Sequence, residues 1–187
     1  MRLNLEESGF AKKWRRWPIV GVTASHADNR HDIIIFVNHL TFNVQSKIRF
    51  MEKHHTLTDT EFERQFANCT LDPALFSHEA HLRLAWIHIS KYGVDKAIKN
   101  VCDQIQAFAT ANGADGKYHV TVTVAAVRAV YHFVLKSTST DFAGFIAEFP
   151  RLKFQFKELL DCHYSMNLFK SELAREVYLE PDLAPFD

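Results

Sequence analysis

The stretch YHVTVTVAAVRAVYHFVL, residues 118–135, decides the fold class. Its first half alternates polar and apolar positions and is rich in β-branched side chains, as a half-buried strand would be. Its second half keeps helical spacing, and neither glycine nor proline interrupts the run. Strands commonly end within about 4–8 residues whereas helices run past ten, so length favours a helix. With that segment helical, nothing downstream of residue 50 requires a sheet.

Reading outward from it, residues 94–111 place Val94, Ile98, Val101, Ile105 and Phe108 on one face, and Asn112-Gly113 ends that helix. The preceding helix runs from His78 to about Lys91, with Ser77 as its cap and Gly93 as its stop. Thr58-Asp59-Thr60-Glu61 forms a capping box, followed by Phe62 and Phe66 at helical spacing, and Pro73 interrupts the chain before the next helix. After the central run, the STST of residues 137–140 is expected to cap a shorter helix that Pro150 ends. Residues 154 to about 164 read as helical, and Ser171–Tyr178 supplies a last turn or two. The sum is an all-α, compact bundle of about five to six helices.

Residues 1–50 differ. They carry eight Lys+Arg against four Asp+Glu, whereas residues 51–187 carry fourteen against eighteen. They show no repeated helical face, and DIIIFVNHLTF suits a strand or a short helix. We read residues 1–50 as a basic, irregular or partly β extension, and residues 51–187 as the helical domain, which starts near Met51. KKWRRW, residues 12–17, is either an interaction patch for phosphates or membrane surface, or a solvated basic tail.

Hydrophobic residues make up 47% of the chain and charged residues 24%, a globular composition. The formal net charge is zero, so no overall basic field draws in nucleic acid. The longest apolar run, IIIFV, is far too short to span a bilayer. Three scattered cysteines, Cys69, Cys102 and Cys162, suggest reduced thiols, and with no secretory leader evident a cytoplasmic protein is expected.

Chemistry is sought at the helix starts. In FSHEAHLRLAW, residues 76–86, His78 lies above Leu82, Ala85 and Ile89, and His81 sits 60° to one side. His119 opens the central helix over Thr123, Ala126, Val130 and Phe133. If the two helix starts meet, three neutral imidazoles converge, and three histidines plus an open water position form a known catalytic zinc geometry. His78, His81 and His119 are therefore the candidate catalytic residues and the candidate ligands of a divalent metal, zinc by donor type. The bland alternative is a set of hydrogen-bonded core or capping histidines. Glu79 is rotated onto the flank, and Arg83 faces away and is expected to pair with a carboxylate. Tyr118, Thr121 and Thr123 could orient a ligand, although capping or packing serves equally. His54 and His55 are expected to be solvated, and Phe142, Phe145, Phe149, Phe154 and Phe156 to fill the core.

Three motifs, FSHEAHLRLAW, YHVTVT and SELAREVYLEPDLAP, together resemble an uncharacterised family of small bacterial helical proteins with F-x-H-x-x-H-L-R-x-A-W, Y-H-x-T and S-x-x-A-R…P-D-L patterns. The resemblance covers about residues 56–187. It implies that His78, His81, Tyr118, His119, Thr121, Ser171 and Arg175 belong together, and it brings Arg175 to the site as a fork of donors for an anionic group. A salt bridge to Glu172 or Glu176 is the competing role for Arg175. The leading functional expectation is a metal-dependent hydrolase of a small anionic substrate, or a metal-free enzyme with one histidine as general acid or base. The alternative is a non-catalytic small-molecule-binding or regulatory module.

Overall fold

The structure, a computed structural model, describes residues 52–186. The expectations for residues 1–50 lie outside the described residues. Residues 51–187 form one compact unit. It is all-helical: α1 (Asp59–Ala67), α2 (His78–Tyr92), α3 (Val94–Ala111), α4 (Val120–Val134), α5 (Phe142–Glu148), α6 (Pro150–Phe154), α7 (Phe156–Leu160) and α8 (Glu172–Glu176). No strand occurs among the described residues.

The helix expected across residues 118–135 forms as α4, with His119 as its N-cap. Its β-branched residues lose a few tenths of a kcal/mol each relative to alanine in a helix. Burial outweighs that loss, because Thr121, Thr123, Val124, Ala125, Val127, Ala129 and Val130 are all enclosed. The strand-like alternation has a local purpose. Thr123 Oγ1 donates to the His119 carbonyl (2.8 Å), while Thr121 Oγ1 donates to the Val177 carbonyl (2.7 Å) and accepts from the Leu179 amide (3.0 Å). Both hydroxyls are thus satisfied inside a buried helix.

Helices α2, α3 and α4 pack against one another as the centre of the bundle, with α1 against α2 and α3 and α8 against α4. Gly93 joins α2 to α3 at φ +77°, a left-handed conformation that a side chain would strain. The capping box at Thr58 forms in both directions, and Ser77 accepts from the Ala80 amide as the cap of α2.

Two boundaries differ from expectation. Asp141, not the STST segment, caps α5, and Ser137 and Thr138 instead bind the Glu148 carboxylate at 2.5 and 2.8 Å. An ionised carboxylate competes well for two hydroxyls. Pro150 does follow the end of α5, but it also opens α6, where its missing N–H costs nothing. Of the five phenylalanines assigned to the core, Phe142 and Phe145 are fully enclosed, whereas Phe154 is 73% exposed. A break at Gln155 between α6 and α7 turns Phe154 outward.

No helix among the described residues is long and apolar enough to cross a membrane.

Candidate functional site

The first turn of α2 carries two different polar environments, one on each side. On one side a cavity of about 310 Å³ opens between α2, α3 and α4. Leu82, Ala85, Val101, Ile105, Val122, Ala126 and Val127 form its walls, Phe156 and Phe169 border it, and His78, His81 and Thr123 supply its polar atoms. The expected sharing of one face by His78 and His81 places both rings here.

Their hydrogen bonds fix the tautomers. His81 Nδ1 lies 2.7 Å from the Ser77 carbonyl, which can only accept, so the ring proton sits on Nδ1 and Nε2 keeps its lone pair. Burial, together with the nearby His78, pushes the His81 pKa down to about 4 against the opposing bond to Ser77, so the ring is neutral at pH 7. Phe76 stacks on it at 3.7 Å between centroids. His78 donates from Nε2 to the Leu152 carbonyl (2.9 Å), which docks α6 on the start of α2.

His119 takes no part in the cavity wall. Its Nδ1 accepts from the Val122 amide (3.3 Å) and its Nε2 donates to the Leu168 carbonyl (3.0 Å), so both ring nitrogens are occupied and no lone pair remains for a metal. It acts as a cap and a tether, the bland role. Among the described residues, the one set of three ligand-type side chains with donor atoms within 4.8 Å of one another is His54, His55 and Glu79, not His78, His81 and His119.

The other residues implied by the family resemblance are likewise spread through the structure. Ser171 caps α8 through the Ala174 amide, and Arg175 donates to the Gly116 carbonyl (2.9 Å) and lies 3.7 Å from Glu172. Tyr118 sets its hydroxyl against the Cys102 thiol, and burial raises the pKa of both. Thr121 ties down the closing segment, and Thr123, singled out by its position on α4 and not by the resemblance, lines the cavity.

On the opposite side of the α2 start lies a cluster whose histidines, by sequence, are expected in solvent. His54 and His55 sit in the 3-10 turn Lys53–Thr56, with side chains 0% and 13% exposed. Both face Glu79, whose own side chain is 5% exposed: His55 Nε2 stands 2.6 Å and His54 Nε2 3.5 Å from Glu79 Oε1. Lys153 binds the other oxygen, Glu79 Oε2, and also Glu52 Oε1 at 2.9 Å. Burial alone would raise the Glu79 pKa; the approach of His54, His55 and the Lys153 ammonium outweighs it and holds the carboxyl well below its ordinary range.

Arg83 fixes this turn from behind. It pairs with Asp59 as expected, and it also donates to the carbonyls of His54 (2.5 Å) and Leu57 (2.8 Å). The rotation of Glu79 onto the flank of α2 follows from helical geometry, but its consequence does not. That flank is where the segment before α1 packs. The partners are 24 or more residues apart in sequence, so no periodicity announces them; only the adjacent His54-His55 pair before a capping box hints at it.

No protein-family model matches the chain, and no curated protein or solved structure matches it either.

Proposed function

We propose that the protein binds a small, mostly apolar, uncharged molecule in the α2–α3–α4 cavity, with His81 Nε2 accepting a hydrogen bond from a hydroxyl or N–H group of the ligand. The observation that carries this reading is the His81 ring. Its proton is held by a backbone carbonyl, and its free lone pair belongs to a side chain lining an apolar cavity of about 310 Å³. Pockets of roughly 300–1,000 Å³ with apolar walls and a few placed polar groups are the usual form of small-molecule sites. A neutral imidazole offers no charge to an anion, and Arg175 is engaged elsewhere, so the ligand class shifts from anionic to neutral. Three unpaired thiols suit a reducing compartment, and a cytoplasmic location accompanies the reading.

The same tautomer favours a second reading, in which His81 is a general base toward the bound molecule. An imidazole held through one nitrogen and open at the other has the required polarity.

Phenol and toluene, compared by ligand-observed NMR, test the binding reading. Phenol is expected to bind more tightly by roughly threefold to tenfold, the value of one net hydrogen bond. His81→Leu should remove that preference, and Ala126→Leu, which fills the cavity, should abolish binding of both. Equal binding of both probes, unaffected by Ala126→Leu, would refute it.

A further inference from the structure

We propose that His54, His55 and Glu79 form a binding site for one divalent transition-metal ion, with zinc the best match, on the side of α2 opposite the cavity. The ligand atoms are His54 Nε2, His55 Nε2 and Glu79 Oε1, and Glu52 Oε2, which accepts from Ser77 Oγ, stands beside them. Two nitrogens and one or two carboxylate oxygens are a donor set that suits zinc and not magnesium or calcium.

The first support is an orphaned atom. His54 is fully enclosed, and its Nε2 has no hydrogen-bond partner. Leaving such a buried polar atom unmet is costly. It is aimed into the cluster, 3.5 Å from Glu79 Oε1 and 3.6 Å from Glu52 Oε2. These separations are long for hydrogen bonds, yet they match two ligands on a tetrahedral ion, which with bonds of about 2.0–2.1 Å stand roughly 3.3–3.4 Å apart. His55 and Glu79 are closer, at 2.6 Å, and would separate by roughly 0.7 Å to share the same ion.

The surroundings hold these donors in place. Lys153 binds Glu79 Oε2 and Glu52 Oε1, which leaves Glu79 Oε1 to the imidazoles, while Glu52 Oε2 accepts from Ser77 Oγ and lies 3.6 Å from His54 Nε2. Arg83 anchors the His54 backbone carbonyl and so orients the ring. Arg83 Nη1 also lies 3.3 Å from His54 Nδ1, and a guanidinium can only donate, so in the metal-free protein the His54 proton is on Nε2. Coordination moves that proton to Nδ1. The move sets Nδ1–H against the Arg83 Nη1 donor, so metal binding requires the guanidinium to turn from the ring while it keeps its bond to the carbonyl. The His55 proton shifts from Nε2 to Nδ1 in the same way.

Lys153 also supplies the competing account, in which its ammonium is the only cation the carboxylates need. The two accounts differ in what Lys153 does to metal affinity. Beside an ion it repels, and Lys153→Gln should tighten binding.

The test is titration of the untagged full chain, stripped with chelator, with Zn²⁺ by calorimetry and with Co²⁺ by its visible absorption. One ion per chain is expected, with absorption of the intensity of a four-coordinate centre. His55→Ala and Glu79→Gln should each weaken binding at least roughly thirtyfold, Lys153→Gln should strengthen it several-fold, and His81→Ala should leave it unchanged. Binding that persists in both His55→Ala and Glu79→Gln, or no binding below about 100 µM, overturns the assignment. If either variant fails to fold, Lys153→Gln decides: an unchanged or weaker affinity overturns the site.

Discussion

His78 and Leu152 are joined by a 2.9 Å hydrogen bond from the imidazole Nε2 to the backbone carbonyl, across 74 residues of sequence. The bond sets the first turn of α2 against α6, and the next residue along each element repeats the connection through Glu79 and Lys153. Two successive residues of α2 therefore enter two different environments. His78 borders the apolar cavity, and Glu79 enters the charged cluster.

Replacing His78 by alanine removes the donor to Leu152 and leaves a carbonyl without that partner. The expected loss is about 1–2 kcal/mol of stability. Urea denaturation should show a lower midpoint with an unchanged slope. A metal or catalytic role for His78 would instead leave stability nearly untouched.

Arg83 is 5% exposed and joins α2 to the start of α1 through Asp59 and to the His54 turn through two carbonyls. Its guanidinium also lies 5.0 Å from the centre of the Phe62 ring. Arg83→Met should cost about 2–3 kcal/mol, since Asp59 is exposed enough to be rehydrated but the two carbonyls are not. Amide exchange should rise first across residues 53–57.

Thr121→Val keeps the shape of the side chain but removes both bonds to the closing segment, to Val177 and Leu179. The expected cost is about 1–3 kcal/mol. Limited proteolysis should then cut after residue 176 faster than in the parent protein, while the bundle stays folded.

Acid should destabilise the chelated protein in two stages. The His81 pKa lies below its ordinary value of 6.5, so the unfolded chain binds the proton first. The His81 contribution is complete above pH 6.5 and fades as pH falls toward about 4. Glu79, also lowered from its ordinary 4.5, adds a second loss below that value. Denaturation midpoints across this range should fall in both stages in the parent, and the first stage should shrink in His81→Leu without vanishing, because burial lowers His88 and His132 in the same direction.

Much of the fold is legible in local sequence, because helix starts and stops are local chemistry. Thr58 with Glu61, Ser77, Gly93 and the long run after Tyr118 each mark a boundary within a few residues of its cause. The STST segment misleads because a distant group, the Glu148 carboxylate, claims its hydroxyls. The shared face of His78 and His81 comes from 100° rotation per residue, and both line the cavity. Whether His119 joins them depends on how two helices are placed in space. The charged cluster is invisible for the same reason: His54 and His55 read as a polar lead-in until the turn that carries them folds against Glu79.

In the proposed binding role, recognition turns on one atom, Nε2 of the His81 ring that lines the cavity. Long-range ¹H–¹⁵N correlation spectra of the imidazole side chains at pH 7 observe that atom itself. His81 is predicted to be a single neutral tautomer protonated at Nδ1, with an Nε2 resonance that moves when phenol is added and stays still with toluene. A His81 ring protonated at Nε2, or an Nε2 resonance indifferent to phenol, would contradict it.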